Sequence, residues 1–148
     1  MKKILIAAFI ALFSTGVYSV ETANQNKPVD RVWVRLYEAN PSIWADVNNM
    51  KITGDEIHIT LMTKFGSPQK LHGFTTPSSD VVTPFTGPVM YVLTPINVLC
   101  KGGTYTINGE TFFGSKDEIV GNYVDTEKVP TTIDNGSVPD LVRQRFCK

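Results

Sequence analysis

Only two cysteines and two histidines occur in the 148 residues, and neither charge is in excess, with 14 basic residues against 14 acidic ones. Each shortage removes a class of function. The histidines, His58 and His72, stand apart with no second ligand at metal-binding spacing, and no H-E-x-x-H or C-x-x-C is present. A P-loop, a dinucleotide fingerprint and a nucleophile elbow are also missing, so the sequence assigns no catalytic residue, no metal ligand and no cofactor. Asp46, Asn48 and Asn49 are rich in oxygen but lack the glycine and distal glutamate of an EF-hand loop. The absence of a basic surplus argues against a nucleic-acid partner. The apolar run at 4–13 falls short of the roughly twenty residues a membrane-crossing helix needs, so no membrane insertion is expected.

What stands around that run has another meaning. Lys2 and Lys3 precede it, small and polar residues (Ser14, Thr15, Gly16) follow, and a cut after Ser19 fits. This is the pattern of a secretory signal peptide at 1–19. No cysteine lies near the cut to accept a lipid, so the expected location is periplasmic or secreted. Residues 20–30 are polar and aperiodic and read as a flexible N-terminal segment, with one domain at 31–148. Without Lys2 and Lys3 the balance is 12 basic to 14 acidic residues, which gives no reason for attraction to an anionic membrane. In an oxidising compartment Cys100 and Cys147 are expected to pair, the alternative being two free buried thiols.

The domain reads as strands. In 31–38, Val32, Val34 and Leu36 share one face while Trp33, Arg35 and Tyr37 share the other. A turn at Asn40-Pro41-Ser42 leads to strands at 43–47 and 50–53, and Gly54-Asp55 turns into the clearest strand, 56–65. There Ile57, Ile59, Leu61, Thr63 and Phe65 alternate with Glu56, His58, Thr60, Met62 and Lys64, which predicts an antiparallel sheet with one buried and one wet face. Residues 66–87, punctuated by Pro68, Pro77 and Pro84, read as a long loop pinned by Leu71, Phe74 and Phe85. Strand 89–99 contains Pro95, which lacks a donor and so places the strand at an edge or at a bulge.

The stretch bracketed by the cysteines holds a conflict. Asn108-Gly109 is a two-residue hairpin signal, yet residues 114–117 supply a second turn only five positions later. One long strand at 104–113 with a bulge near Gly109 is preferred, followed by a strand at 118–124. A helix then starts after Asp134-Asn135-Gly136. Ser137 fits the N-cap, Asp140 the capping box and Pro139 the first turn, and Val138, Leu141, Val142 and Phe146 form an apolar stripe. The fold class is α+β: a mainly antiparallel sheet of about five to six strands with a short C-terminal helix tied by a Cys100–Cys147 disulfide.

With these residues in place, the chain resembles the surface-adhesin protein E family of small exported bacterial proteins. The likeness rests on Cys100 and the aromatic strand after it (Tyr105, Phe112, Phe113), the turn before Glu118, Pro130, and the terminal G-S-V-P-D-L-V-R-Q-R-F-C at 136–147. It extends through D-x-x-x-M-K-I at 46–52, G-D-E at 54–56 and F-G-S-P-Q-K at 65–70. The resemblance implies an antiparallel sheet with a disulfide-fixed C-terminal helix. Its best-known member is a surface lipoprotein that binds host extracellular-matrix and complement-regulating proteins.

The expectation is therefore a non-enzymatic envelope protein that binds a protein partner, a host extracellular-matrix protein being one candidate. The alternative is a soluble periplasmic protein with a housekeeping, inhibitory or immunity role and no host contact. Trp33, Tyr37, Leu71 and Phe74 are the candidate partner-binding residues. Because one helix cannot cover both faces of such a sheet, a homodimer is a further expectation.

Overall fold

The computed structural model describes residues 30–76 and 79–148. The leader at 1–19 and all but the last residue of the 20–30 segment lie outside them. Strands form at β1 (Trp33–Tyr37), β2 (Ser42–Asp46), β3 (Lys51–Thr53), β4 (Glu56–Gln69), β5 (Phe74–Thr76), β6 (Ser79–Thr83), β7 (Val89–Leu99), β8 (Thr104–Ile107), β9 (Glu110–Phe113), β10 (Ile119–Tyr123) and β11 (Thr131–Thr132). One helix, α1 (Val138–Phe146), follows.

Two long strands form the axis. β4 and β7 pair antiparallel from Glu56↔Leu99 to Lys64↔Tyr91. On the far side of β4, β3 covers residues 56–58 and β2 covers 61–64, with β1 outside β2. On the far side of β7, β8 covers 96–99 and β9 covers 91–93, flanked by β11 and β10. Nine strand segments thus make one antiparallel sheet that is six strands across, while β5 and β6 pair separately. The expected α+β architecture is what forms. The region at 66–87 is not the unstructured loop expected from its prolines: β4 runs on to Gln69, and β5 and β6 make a small antiparallel pair.

β8 and β9 are one strand interrupted by a bulge, and Asn108-Gly109 is not a hairpin turn. Ile107 lies opposite Ile96 and Thr111 opposite Leu93, so the bulged strand has three residues (108–110) between those partners where β7 has two (94 and 95). The register slips by one residue, which turns alternate side chains over. Tyr105 and Ile107 are buried before the bulge, Glu110 and Phe112 after it. Pro95 explains the position. A strand residue directs its N–H and C=O to the same side, and Pro95 O accepts from Asn108 N at 3.0 Å. The donor that proline lacks therefore faces the bulge, where the ladder is already broken. This lets β7 sit in the centre of the sheet despite its proline.

Gly109 has φ 125°, and a Cβ there would stand 2.4 Å from the Tyr123 carbonyl oxygen. Gly109→Ala is expected to destabilise the fold by about 1–3 kcal/mol, the usual range for forced backbone strain. Urea denaturation checks this, and an unchanged midpoint would show that the bulge tolerates a side chain.

Both coverings lie on the same face of the sheet. Near one end α1 sets Val142 against Ile57, Ile59, Ile96, Val98, Tyr105 and Ile107. Near the other end, Phe74 and Phe85 close over Val92, Phe112, Val120 and Tyr123. Phe74 stacks on Phe112 at 5.3 Å and on Tyr123 at 5.8 Å. Gly121 lets these rings approach, since a Cβ there would lie 2.8 Å from Phe85 and 2.9 Å from Phe74. Each such large side chain removed from water contributes about 1.5–3 kcal/mol.

The helix begins as its residues require. Ser137 Oγ accepts from Asp140 N at 3.4 Å, and the Asp140 carboxylate reaches back to Gly136 N at 2.9 Å. Arg143 and Gln144 each donate to it at 2.7 Å. Its acidity is strengthened first by the Gly136 N–H and then by these side chains, which hold it below the usual carboxylate range. Cys147 is the C-cap, and its disulfide to Cys100 ties the helix end to the turn that follows β7.

Candidate functional site

The opposite face of the sheet carries no helix or hairpin among the described residues, and it is not simply a wet face. Cross-strand registers place Arg35, Trp44, Met62, Leu93, Thr111 and Asn122 in one row from β1 to β10. The next row holds Ser42, Lys64, Tyr91, Phe113 and Ile119. Trp44, Met62, Tyr91, Leu93 and Phe113 are only half-buried, and Ile119 is 60% exposed. They shield one another. The Arg35 guanidinium lies 4.6 Å from the Trp44 ring centroid, and Tyr91 stacks on Phe113 at 4.7 Å. Trp44 Nε1 donates to Ser42 Oγ at 3.0 Å, which fixes the indole. Tyr91 donates to Asp117 Oδ1 at 3.0 Å. Partial burial and then that carboxylate push the phenol up to about 12, so Tyr91 stays a neutral ring at any physiological pH.

Toward the β3 end the same face turns polar. Asp46 is fully buried and accepts from Asn49 Nδ2 at 2.8 Å and from Arg31 Nη1 at 3.4 Å. Asn97 Oδ1 gathers two donors, His58 Nδ1 at 2.9 Å and Asn108 Nδ2 at 3.1 Å. His58 Nε2, on the other side of the ring, lies 3.8 Å from a Glu56 oxygen. Arg31 lines two adjoining depressions. The larger, about 690 Å³, includes Lys51, Thr53, His58, Thr60, Asn97 and Asn108. The smaller, about 280 Å³, includes Leu93, Thr111, Phe113 and Asn122.

Glu110, immediately after the bulge, belongs to the covered face and is 4% exposed. Thr94 donates to its Oε1 at 3.3 Å and Tyr123 also hydrogen-bonds to it, while Oε2 has no partner among the described residues. Burial, only partly offset by those donors, pushes this carboxyl up to about 8. Burial and the neighbouring Glu110 in turn push the Tyr123 phenol upward. The carboxyl lies between the two apolar clusters, and Glu110 and Tyr123 also border the smaller depression.

The four residues singled out from sequence are not brought together. Trp33 is half-buried on the uncovered face beside Arg31, whose guanidinium is 5.6 Å from its ring centroid. Tyr37 is 51% exposed, but a register shift after Arg35 sets it opposite Ile43 and out of line with Trp33 and Arg35. Leu71 is partly buried against the hairpin's aromatic cluster. Phe74, at 5% exposure, is part of the core and not an exposed tip, because it fills the space over Gly121. The pinning role expected of Leu71, Phe74 and Phe85 is the one they have.

Trp44, Met62, Tyr91, Leu93 and Phe113 were missed. The available signal was a second apolar face: strand 89–99 is apolar at nearly every position, and Phe112-Phe113 must place one ring on each side. Together the uncovered face presents ring faces, amides, hydroxyls and a lysine, Lys51, with no ion pair among the described residues, which are means of binding. Among the described residues no three His, Cys, Asp or Glu side chains lie close enough to hold a metal ion. Compared with protein-family models, curated proteins and solved structures, the chain matches none of them.

Proposed function

We propose that this chain is an exported, non-enzymatic envelope protein that binds a protein partner through the uncovered face of its sheet, in the manner of the surface-adhesin protein E family it resembles. One observation carries the reading. Trp44, Met62, Tyr91, Leu93 and Phe113 lie half-exposed and contiguous across the paired strands β2, β4, β7 and β9, with Arg35 over Trp44. Tryptophan, tyrosine and arginine dominate the energy of protein interfaces, and an apolar patch edged by polar residues is how such sites are marked. A host extracellular-matrix protein is the partner that the resemblance suggests. A second copy of the chain is the competing occupant.

Binding of the purified protein to immobilised extracellular-matrix proteins tests this. Trp44→Ala is expected to weaken it by about thirtyfold, the effect of losing one hot-spot side chain. Tyr37→Ala, off that face, is expected to leave it unchanged. Equal loss from both variants, or no matrix binding at all, would remove the reading. A concentration-dependent dimer abolished by Trp44→Ala would assign the face to self-association.

A second reading has its own support. Cys100 and Cys147 are joined in the disulfide, so neither of these thiols is available to carry a lipid. A periplasmic protein with a housekeeping, inhibitory or immunity role would use the same face for an internal partner. Labelling of intact cells separates the two: protein that reacts only after the outer membrane is permeabilised belongs to the periplasm.

A further inference from the structure

We infer that the polar depression beside β3 is a separate binding site for an acidic saccharide, a hydroxyl-rich ring carrying a carboxylate or sulfate. Its size of about 690 Å³ lies within the roughly 300–1,000 Å³ typical of small-ligand sites. Its walls combine three features that one ligand chemistry would use together. The first is a mixture of donors and acceptors. Asn97 and Asn108 are held by the bond to Asn97 Oδ1, which leaves the Asn97 amide N–H₂ without a partner among the described residues and able to donate. Thr53 and Thr60 add hydroxyls. Such alternation suits vicinal hydroxyl groups, each of which both donates and accepts.

The second feature is charge. Asp46 is the carboxylate of the lining, and it is buried and already engaged by Arg31 and Asn49. Glu56 sits outside the lining, against His58. Lys51 is exposed and has no ion pair among the described residues. The wall therefore presents unneutralised positive charge in a chain whose formal net charge is zero, which favours an anion. The third is apolar surface: Met50 and Pro95 line the same depression and can meet the C–H side of a sugar ring. A plain phosphate would leave the amides and apolar wall unused, and a neutral sugar would leave Lys51 unanswered. The site does not depend on the protein-partner reading, because Trp44 and Phe113 are outside its lining.

Amide and side-chain NMR of the purified protein tests the assignment. The probes are a hyaluronan hexasaccharide carrying only carboxylates, a heparin hexasaccharide carrying sulfates, and neutral maltohexaose. An acidic oligosaccharide is expected to shift the signals of Lys51, His58, Asn97 and Asn108, and maltohexaose at the same concentration is not. Lys51→Gln, an exposed change that leaves the core untouched, is expected to weaken binding about tenfold, and added salt to weaken it further. Trp44→Ala is expected to leave it intact, so that this site can stand or fall apart from the protein-binding face. A preference for heparin would name sulfate, the acid of host glycosaminoglycans. Equal binding would name the carboxylate, which bacterial envelope polymers also carry. Shifts elsewhere only, equal response to maltohexaose, or no effect of Lys51→Gln would each overturn the inference.

Discussion

Stability is expected to fall as the pH rises from about 5 to about 8, and Glu110→Gln is expected to remove most of that fall. The cause is a carboxyl group buried between two apolar clusters, with a hydrogen bond to one oxygen from Thr94 and none to the other among the described residues. Its usual value of 4.5 is pushed up to about 8, first by burial. A carboxyl raised in this way is neutral in both states at low pH and has no effect there. As the pH passes 4.5 the unfolded chain ionises and the folded chain does not, so folding loses about 1.4 kcal/mol per unit until the buried group ionises as well. The loss complete by pH 8 is about 4 kcal/mol, a large share of the roughly 5–15 kcal/mol that holds a domain together.

Glutamine keeps the shape and the neutral polarity, so Glu110→Gln should match the parent protein near pH 5 and exceed it clearly at pH 8. Urea midpoints across that range decide the matter. Parallel pH profiles for the two proteins would mean that Glu110 is not held neutral. Asp140 works in the opposite direction. Its carboxylate is held below the usual range by the Gly136 N–H, so the helix start is stable above that range and loses its support as the pH falls. The two carboxyls together place greatest stability on the mildly acidic side of neutrality.

The parts of this fold that were legible in the sequence are those where local chemistry and burial agree. Strand 89–99 and the alternation of 56–65 appear where periodicity placed them, and Ser137, Pro139 and Asp140 start the helix as capping rules require. The bulge at Gly109 was preferred over a hairpin, yet its consequence for Glu110 went unread. Once the register slips, residues 105 and 107 share a face with 110 and 112, which places an acid in the core. Two features depended on tertiary packing and left no local trace. The hairpin of β5 and β6 exists because Phe74 and Phe85 find Gly121 beneath them, whereas its Thr- and Pro-rich residues suggest only a loop. The shift after Arg35 that separates Tyr37 from Trp33 is set by pairing with β2, and alternation within 31–38 could not reveal it. The uncovered face was underestimated for a related reason. Glu56, His58 and Lys64 made it read as wet, but its apolar residues come from five different strands and become a surface only when these are aligned.

Removal of the disulfide is expected to cost about 4 kcal/mol, the loop-closure estimate for a bridge spanning 47 residues. The physical weight of that bridge comes from what it holds. A nine-residue helix is not stable alone in water, and α1 adds only a narrow apolar stripe to the sheet, with Val142 fully buried and Val138 and Phe146 partly so. The link begins at the turn after β7 and ends at the helix C-cap, so the unfolded chain it constrains contains β8 to β11 and the helix together. Both cysteines pack against the core, and alanine is therefore the appropriate replacement, since serine would place a hydroxyl there. Urea denaturation of the oxidised protein and of the Cys100→Ala/Cys147→Ala variant measures the difference. If the bridge acts mainly on the unfolded chain, the variant keeps the native far-ultraviolet spectrum and unfolds at lower urea. Loss of the helical signal before the sheet unfolds would instead show that α1 is held to the sheet by the bond and hardly at all by packing. An unchanged midpoint would overturn both accounts and leave Val142 and its neighbours as sufficient to dock the helix.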